Sequence, residues 1–290
     1  MANSSPVTRA SERLEGGVRA AAPAKINRFL HIIGRRPDGY HLLETGFQFV
    51  DWCDWLHFRI AEHNDIRILN DPMQLGSDNL VFRAAQAMHD SNLPGIDIWI
   101  DKQLPSGAGL GGGSSDAATT LVVLNTLWNR NLSHDQLMQI GTTLGADVPV
   151  FIFGESCFAS GIGEICEREC WPGSQILLAY PRVHVATSSI FQHPKLTRDT
   201  PSCRIRASQL DTTGNDCETL VRALYPEIDR LMDALKAFGE PRLTGTGACV
   251  FVVDPDVSDQ DALACVQDLA TVKQALLSNH SMLYTGGANA

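Results

Sequence analysis

Between Pro105 and Ser115 the chain reads Pro-Ser-Gly-Ala-Gly-Leu-Gly-Gly-Gly-Ser-Ser, with five glycines at positions 107, 109, 111, 112 and 113. Glycine loses more backbone freedom on ordering than any other residue, so such a run forms neither a stable helix nor a packed strand. What it offers is close approach of backbone N–H groups to a ligand. The flanks are apolar and periodic. Upstream, Ile96, Ile98 and Ile100 alternate with Asp97, Trp99 and Asp101, the two-residue period of a strand. Downstream, Ser114 and Ser115 offer capping hydroxyls, and Ala117, Ala118, Leu121, Leu124, Leu127 and Trp128 recur at helical spacing. The predicted order is strand, glycine loop, helix start. A helix start carries unpaired N–H donors and partial positive charge, so it is an anion site, and phosphate is the obvious anion. A flexible surface linker would have polar flanks, which this stretch lacks.

Three phosphate-binding templates compete for the loop. A Walker A loop needs lysine where Gly113 stands. The dinucleotide pattern G-x-G-x-x-G matches at Gly107, Gly109 and Gly112. Its acidic partner should end the next strand about 20 residues on, and the nearest acid, Asp135, opens a predicted helix instead. The H-R-D signature of protein kinases is absent.

The charge balance narrows the ligand class. With 23 Lys and Arg against 33 Asp and Glu, the net charge is −10, which argues against a nucleic-acid partner but permits a local cationic pocket. No apolar run reaches membrane-spanning length, so no membrane partner is expected. Residues 1–17 carry Arg9, Glu12, Arg13 and Glu15 without an apolar secretory core and read as a disordered leader. The 8 cysteines form no C-x-x-C pair, which suits reduced thiols in a cytoplasmic protein.

Along the chain, strands alternate with helices. Pro23 to Gly34 reads as a strand, with Lys25 and Asn27 on one face. A lysine there is most simply an edge gatekeeper. Arg35 to Gly39 is a turn that presents Tyr40 and His41, which a generic reading leaves without a task. Ser77 to Asn79 caps a helix running to about Asp90, with Leu80, Ala84, Ala87 and Met88 inward. Ser133 to Gln136 is a capping box whose helix ends at Gly145. Asp147 then sits between that helix and an apolar run, Val148 to Phe153, that reads as a strand; for Asp147 itself a turn or cap role is the simplest. Gln192 to Asp211 is polar and loop-like, helices cover 216–224, 227–238 and 259–268, and Leu243 to Gly247 is a second glycine loop entering a strand. The fold class is α+β with two domains, at 18–165 and 166–290.

The string Pro105-x-Gly107-x-Gly109-Leu110-Gly111 with Gly112, Gly113, Ser114 and Ser115 resembles the phosphate loop of the GHMP small-molecule kinases. Three segment groups agree with one branch of that family in order and spacing: Pro23 to Asn27 with Arg36 to His41, the glycine loop with Gly145 to Pro149, and Leu243 to Gly247. That branch phosphorylates a cytidine diphosphate ester of methylerythritol on the hydroxyl of carbon two, in non-mevalonate isoprenoid synthesis. The resemblance covers roughly Pro23 to Val253 and departs from the usual pattern at Arg28 and in the leader.

The resemblance implies an N-terminal ATP-binding domain and a C-terminal ferredoxin-like domain, with ATP and Mg2+ as cofactors. ATP would lie over Pro105, Gly107, Ala108, Gly109, Leu110, Gly111, Gly112, Gly113, Ser114 and Ser115. Lys25 and Asp147 would be the catalytic pair. Asn27, Tyr40, His41, Phe191, Gly245, Thr246 and Gly247 would bind the substrate. Ser114 and Asp147 are candidate magnesium neighbours, and Asn79 and Lys102 are candidates for the adenine pocket. Monomer and homodimer stay open. Two rival classes also stay open: a dinucleotide-dependent oxidoreductase using the same glycines, and a nucleotide-binding module without catalysis.

Overall fold

The computed structural model describes residues 13–14, 17–71, 73–202 and 204–285. The leader expected at 1–17 therefore lies outside the described residues, apart from Arg13, Leu14 and Gly17.

In chain order the strands and helices are β1 (Arg13–Leu14), β2 (Gly17–Arg35), β3 (His41–Ile60), β4 (Ile66–Asn70), α1 (Leu80–Met88), β5 (Ile96–Asp101), α2 (Gly112–Leu127), α3 (His134–Leu144) and α4 (Val148–Phe153). They continue as β6 (Cys157–Ser160), β7 (Ile165–Arg168), β8 (Gln175–Tyr180), α5 (Thr187–Gln192), α6 (Glu218–Leu224), α7 (Pro226–Leu235), β9 (Arg242–Leu243), β10 (Val250–Val253), α8 (Gln260–Leu269), β11 (Thr271–Ser278) and α9 (Met282–Thr285).

β2 and β3 form the spine. They pair antiparallel along most of their length, with register breaks at Pro23/Ala24, Asn27/Phe29 and Ile32/Gly34. The sheet runs β1-β2-β3-β11-β8-β10-β9, with β5 and β6 also on β3. Among the described residues β4–β5 is the one parallel ladder between strands. A doubly wound dinucleotide fold needs a mostly parallel sheet, so the oxidoreductase reading loses its scaffold.

The two largest of four apolar clusters among the described residues pack on this sheet. One packs α1 to α4 on β3 and β5, through residues such as Phe49, Leu56, Ile98, Leu121 and Phe151. The other packs α6 to α8 on β8 and β10, through Leu177, Leu231, Leu235 and Val252.

Several local expectations need correction. α2 is capped by Gly111 in the left-handed region (φ 73°), so Ser114 and Ser115 fall inside the first turns of the helix. Val148–Phe153 is a helix, with Pro149 in its first turn and Gly154 as its left-handed C-cap. Asp147 thus opens a helix, not a strand. On α1 the inward residues are Val81, Ala84, Ala85 and Met88, while Ala87 faces out. Lys25 is no edge gatekeeper, because it is only 2% exposed and lies in a strand paired with β3. Arg28 is also buried, and its guanidinium donates to Gln48 Oε1 at 2.6 Å and to the Pro172 carbonyl.

Candidate active site

The glycine loop, β2, the turn before β3, the α3–α4 junction, α5 and the second glycine loop open onto one cavity of about 930 Å3. That volume is within the range of small-molecule sites.

Lys25 stands at its floor. Its Nζ donates to Asn27 Oδ1 at 2.7 Å and to the Gly109 carbonyl at 3.1 Å, and it lies 3.2 Å from Asp147 Oδ2. The ring of Phe47 sits below, 5.2 Å from Nζ. A buried ammonium is costly unless its protons are paired, and here three oxygens pair it. The two-residue spacing of Lys25 and Asn27 is what brings their side chains together. Asn27 is held in turn: Nδ2 donates to Thr45 Oγ1 at 2.9 Å, and the backbone N–H donates to Thr244 Oγ1 at 3.0 Å. Asp147 is the exposed end of this network, with 36% of its side chain open to the cavity.

The two glycine loops brace each other. Lys25 N–H donates to the Leu110 carbonyl, Cys249 N–H donates to the Ala108 carbonyl, and Thr244 Oγ1 donates to the Gly109 carbonyl. A Cβ on Gly109 would collide with the Thr244 carbonyl oxygen, and one on Gly111 would come within 2.8 Å of the Phe151 ring and 3.1 Å of Lys25 Cε. Side chains at these two positions would part the loops or displace the lysine. Gly112, Gly113 and Ser114, the first residues of α2, line the cavity. The first N–H groups of a helix have no partner inside it, and the helix dipole places partial positive charge there. With Lys25 beside them, these donors make a cationic patch in an acidic protein. That is the donor set a polyphosphate requires, so the residues present fit ATP.

Behind the loop, Lys102 Nζ bridges Asp54 Oδ2 at 2.6 Å and Asp116 Oδ2 at 2.9 Å. Burial works against the Lys102 charge, but Asp116 and Asp54 outweigh it and hold the ammonium above its ordinary pKa. Burial, with the Asp54 carboxylate nearby, raises Asp116 to about 7 despite Lys102. Asn79 caps α1 by accepting from the Val81 N–H, and both Asn79 and Lys102 reach the same cavity.

At the far end, the Arg35–Gly39 turn carries Tyr40, 57% exposed, and His41, which is buried. The His41 ring stacks on Phe191, with centroids 5.2 Å apart and planes 30° apart. Burial, then Arg198 and Arg35, lower the His41 pKa. Thr246 Oγ1 lies 3.1 Å from Thr187 Oγ1, while Asn215 Nδ2 donates to the Gly245 carbonyl at 2.7 Å and anchors the second glycine loop.

Of the sequence-predicted residues, two do not reach the cavity. Ser115 is fully buried, with its N–H on the Gly111 carbonyl, and Gly247 turns its N–H to the Thr244 carbonyl. Both hold the loops from behind. Sequence reasoning missed Thr45, Thr244, Asp54, Asp116 and Arg198. Thr244 and Asp116 lay within recognised segments, but the others carried no local signal.

Residues 79–155 match the GHMP kinases N terminal domain, and residues 204–269 match the GHMP kinases C terminal domain. The chain is 46% identical over 271 residues to a 4-diphosphocytidyl-2-C-methyl-D-erythritol kinase of Pseudomonas savastanoi pv. phaseolicola, covering 91% of this chain and 93% of the relative. It is 47% identical over 262 residues to an enzyme of the same name from Shewanella sp. strain W3-18-1, covering 89% of this chain and 91% of the relative. A crystal structure of a 4-(cytidine 5'-diphospho)-2C-methyl-D-erythritol kinase superposes with a TM-score of 0.75 at 27% identity, over 90% of this chain and 99% of that one.

Proposed function

This chain belongs to the 4-diphosphocytidyl-2-C-methyl-D-erythritol kinases of the GHMP family, and we propose how its residues carry that activity. It is an ATP-dependent kinase that phosphorylates the 2-hydroxyl of 4-diphosphocytidyl-2-C-methyl-D-erythritol, a step toward isopentenyl and dimethylallyl diphosphate.

The observation that carries the residue roles is the Lys25–Asp147 pair, 3.2 Å apart in the cavity onto which the start of α2 opens. Phosphoryl transfer asks for a phosphate cradle, charge neutralisation and an oriented nucleophile. The N–H groups of the Gly107–Ser114 loop and of the first α2 turn bind the ATP phosphates. Asp147 accepts a hydrogen bond from the acceptor hydroxyl and takes its proton as transfer proceeds. Lys25 fixes that carboxylate and offsets the negative charge that develops. Asn27, wedged between Lys25, Thr45 and Thr244, orients the lysine more than it touches substrate. The Ser114 hydroxyl and the Asp147 carboxylate would hold Mg2+ along with ATP oxygens, and the ion would neutralise phosphate charge. Magnesium is usually held this way, by one or two protein groups plus substrate phosphates.

Tyr40, His41 and Phe191 take the cytosine, while Gly245 and Thr246 face the diphosphate. Residues 18–165 form the ATP-binding half and 166–290 the C-terminal half, with one family match falling in each. The seven described cysteines are all free, which suits a reducing cytoplasm. The test is a coupled assay of ADP formation with the cytidine ester, mevalonate and homoserine. Turnover should require the cytidine ester; turnover with mevalonate or homoserine in its place would overturn the substrate reading.

A further inference from the structure

Arg198 lies in the polar stretch after α5, outside every recognised motif. Four of its five guanidinium N–H donors are nonetheless engaged at the pyrimidine end of the cavity. Nη1 donates to the Leu196 carbonyl at 3.0 Å. Nη2 donates to the carbonyls of Phe191 at 3.0 Å and His193 at 2.7 Å. Nε donates to His41 Nε2 at 3.0 Å. Three carbonyls fix the plane of the fork, so the direction of the Nε–H bond is fixed as well.

That last bond decides the chemistry of His41. Arginine has donors and no acceptor, and it does not deprotonate in proteins. His41 Nε2 must therefore accept. A neutral imidazole that accepts at Nε2 carries its proton on Nδ1, and an imidazolium could not accept there at all. Nδ1 has no hydrogen-bond partner among the described residues, and the ring lines the cavity. Phe191 holds the ring plane by stacking, and the same arginine grips the Phe191 carbonyl.

We infer that Arg198 is a positioning residue for base specificity: by donating Nε–H to His41 Nε2 it locks His41 as the neutral Nδ1–H tautomer and so gives the pocket a fixed hydrogen-bond donor for a pyrimidine edge. The inference rests on the cytidine ester as substrate. Ring atom N3 of cytosine is an acceptor and matches a donor. In uracil N3 carries a proton and faces that donor with another. A histidine free to switch tautomer or to ionise could not make this distinction. The charged groups facing His41 are Arg198 from the segment after α5 and Arg35 from β2, and both oppose its protonation, as does burial.

The test joins a spectroscopic and a kinetic readout. Nitrogen-15 imidazole spectra of the free full-length protein, with His41 assigned by loss of its signals in His41→Gln, are recorded from pH 6 to 8. The expected result is a protonated Nδ1 and an unprotonated Nε2 that do not titrate over this range. In Arg198→Met, His41 should titrate and mix tautomers. Its preference for the cytidine over the uridine ester should fall at least tenfold through KM, with kcat and the KM for ATP within twofold. A proton on Nε2 in the wild type, titration in the wild type, or an unchanged ester preference in a folded Arg198→Met overturns the proposal. Should Arg198→Met not fold, the wild-type spectrum alone decides it. If the wild type uses neither ester, the substrate reading fails, while the spectrum still decides the tautomer.

Discussion

The Lys25 ammonium lies 3.2 Å from the Asp147 carboxylate, although the lysine is buried within β2 and the aspartate is a third exposed at the start of α4. The asymmetry separates their roles. Asparagine at position 147 would keep an acceptor oxygen for Lys25, so the buried ammonium would not lose its third partner. General-base action is worth roughly 10²–10⁴ in rate. Asp147→Asn should therefore lower kcat by about that factor, with a thermal midpoint close to wild type. Near-wild-type turnover in the folded variant would remove Asp147 from the chemistry. Lys25→Met should lose both, since it also strips a donor from Asn27 Oδ1 and the Gly109 carbonyl. The single Thr244 hydroxyl that also reaches both oxygens can serve only one of them, and a buried oxygen left unpaired costs about 1–3 kcal/mol.

The phosphate loop can be tested with two alanines that differ in their surroundings. Gly111 has φ 73°, and an added Cβ would press on the Phe151 ring and Lys25, so Gly111→Ala should destabilise the fold and cut activity together. Gly113 is helical, and its added methyl would meet only Leu80, at 3.8 Å. Replacing helical glycine by alanine is favourable by up to about 1 kcal/mol, so Gly113→Ala should fold at least as well as wild type. It also faces the cavity, where the methyl would occupy phosphate space. The KM for ATP should rise tenfold or more without loss in thermal melting; an unchanged KM would move the phosphates elsewhere.

Asp116 gives a pH signature of its own. Burial lifts its folded pKa from the ordinary 3.8 to about 7. Between those values the folded state binds more protons than the unfolded chain. The stabilisation is complete below about pH 4 and is lost as pH rises through about 7. Asp116→Asn keeps the shape and an acceptor for Lys102 but has no proton to release. In denaturant titrations from pH 5 to 8, the wild type should lose stability relative to the variant as pH rises. Parallel curves would refute the raised pKa.

Thiol reactivity tests the burial pattern cysteine by cysteine. Burial raises Cys53, Cys217 and Cys249 to about 12, and Cys157 is buried as well. The thiolate is the reactive form, so at pH 8 these four should resist an aromatic disulfide reagent until the protein unfolds. Cys170 and Cys265 are exposed and should react at once, with Cys166 slower. Labelled peptides identified by mass spectrometry check this residue by residue.

What was legible in the sequence was local. Glycine density, the Ile96–Ile98–Ile100 alternation and the Ser133–Gln136 box each act within a few residues, and the structure keeps all three. Lys25 shows the limit. A lysine in an apolar strand suggests an edge, and only the long-range pairing of β2 with β3, together with the oxygens of Asn27, Gly109 and Asp147, makes a buried lysine tenable. Val148–Phe153 shows another. A short apolar run fits a strand or a helix equally, and Pro149 at the first turn with Gly154 at the end decides for helix. Arg198 was illegible because three of its acceptors are backbone carbonyls, of Phe191, His193 and Leu196, which no side-chain pattern marks, and the fourth, His41 Nε2, lies 157 residues away.

The geometry of the aromatic end gives the last prediction. Tyr40 and Phe191 are the two aromatic residues that the resemblance assigns to the substrate. One face of Phe191 is covered by His41, and Tyr40 stands 57% exposed at the turn. Among the described residues its hydrogen bonds are local: Arg36 N–H donates to the Tyr40 carbonyl at 2.7 Å, and Tyr40 N–H donates to Asp38 Oδ1 at 3.2 Å. Tyr40→Ala should therefore leave the fold and the His41–Phe191 stack intact. It should remove one stacking surface from the base, worth about 1–3 kcal/mol. The KM for the cytidine ester should rise by a factor of roughly 5 to 150, with kcat and the KM for ATP little changed. Stacking accepts any base, so the preference for cytidine over uridine should survive Tyr40→Ala even as both esters bind more weakly. Loss of that preference would place base discrimination on Tyr40 and take it from His41. An effect confined to ATP would remove the cytosine from this end of the cavity.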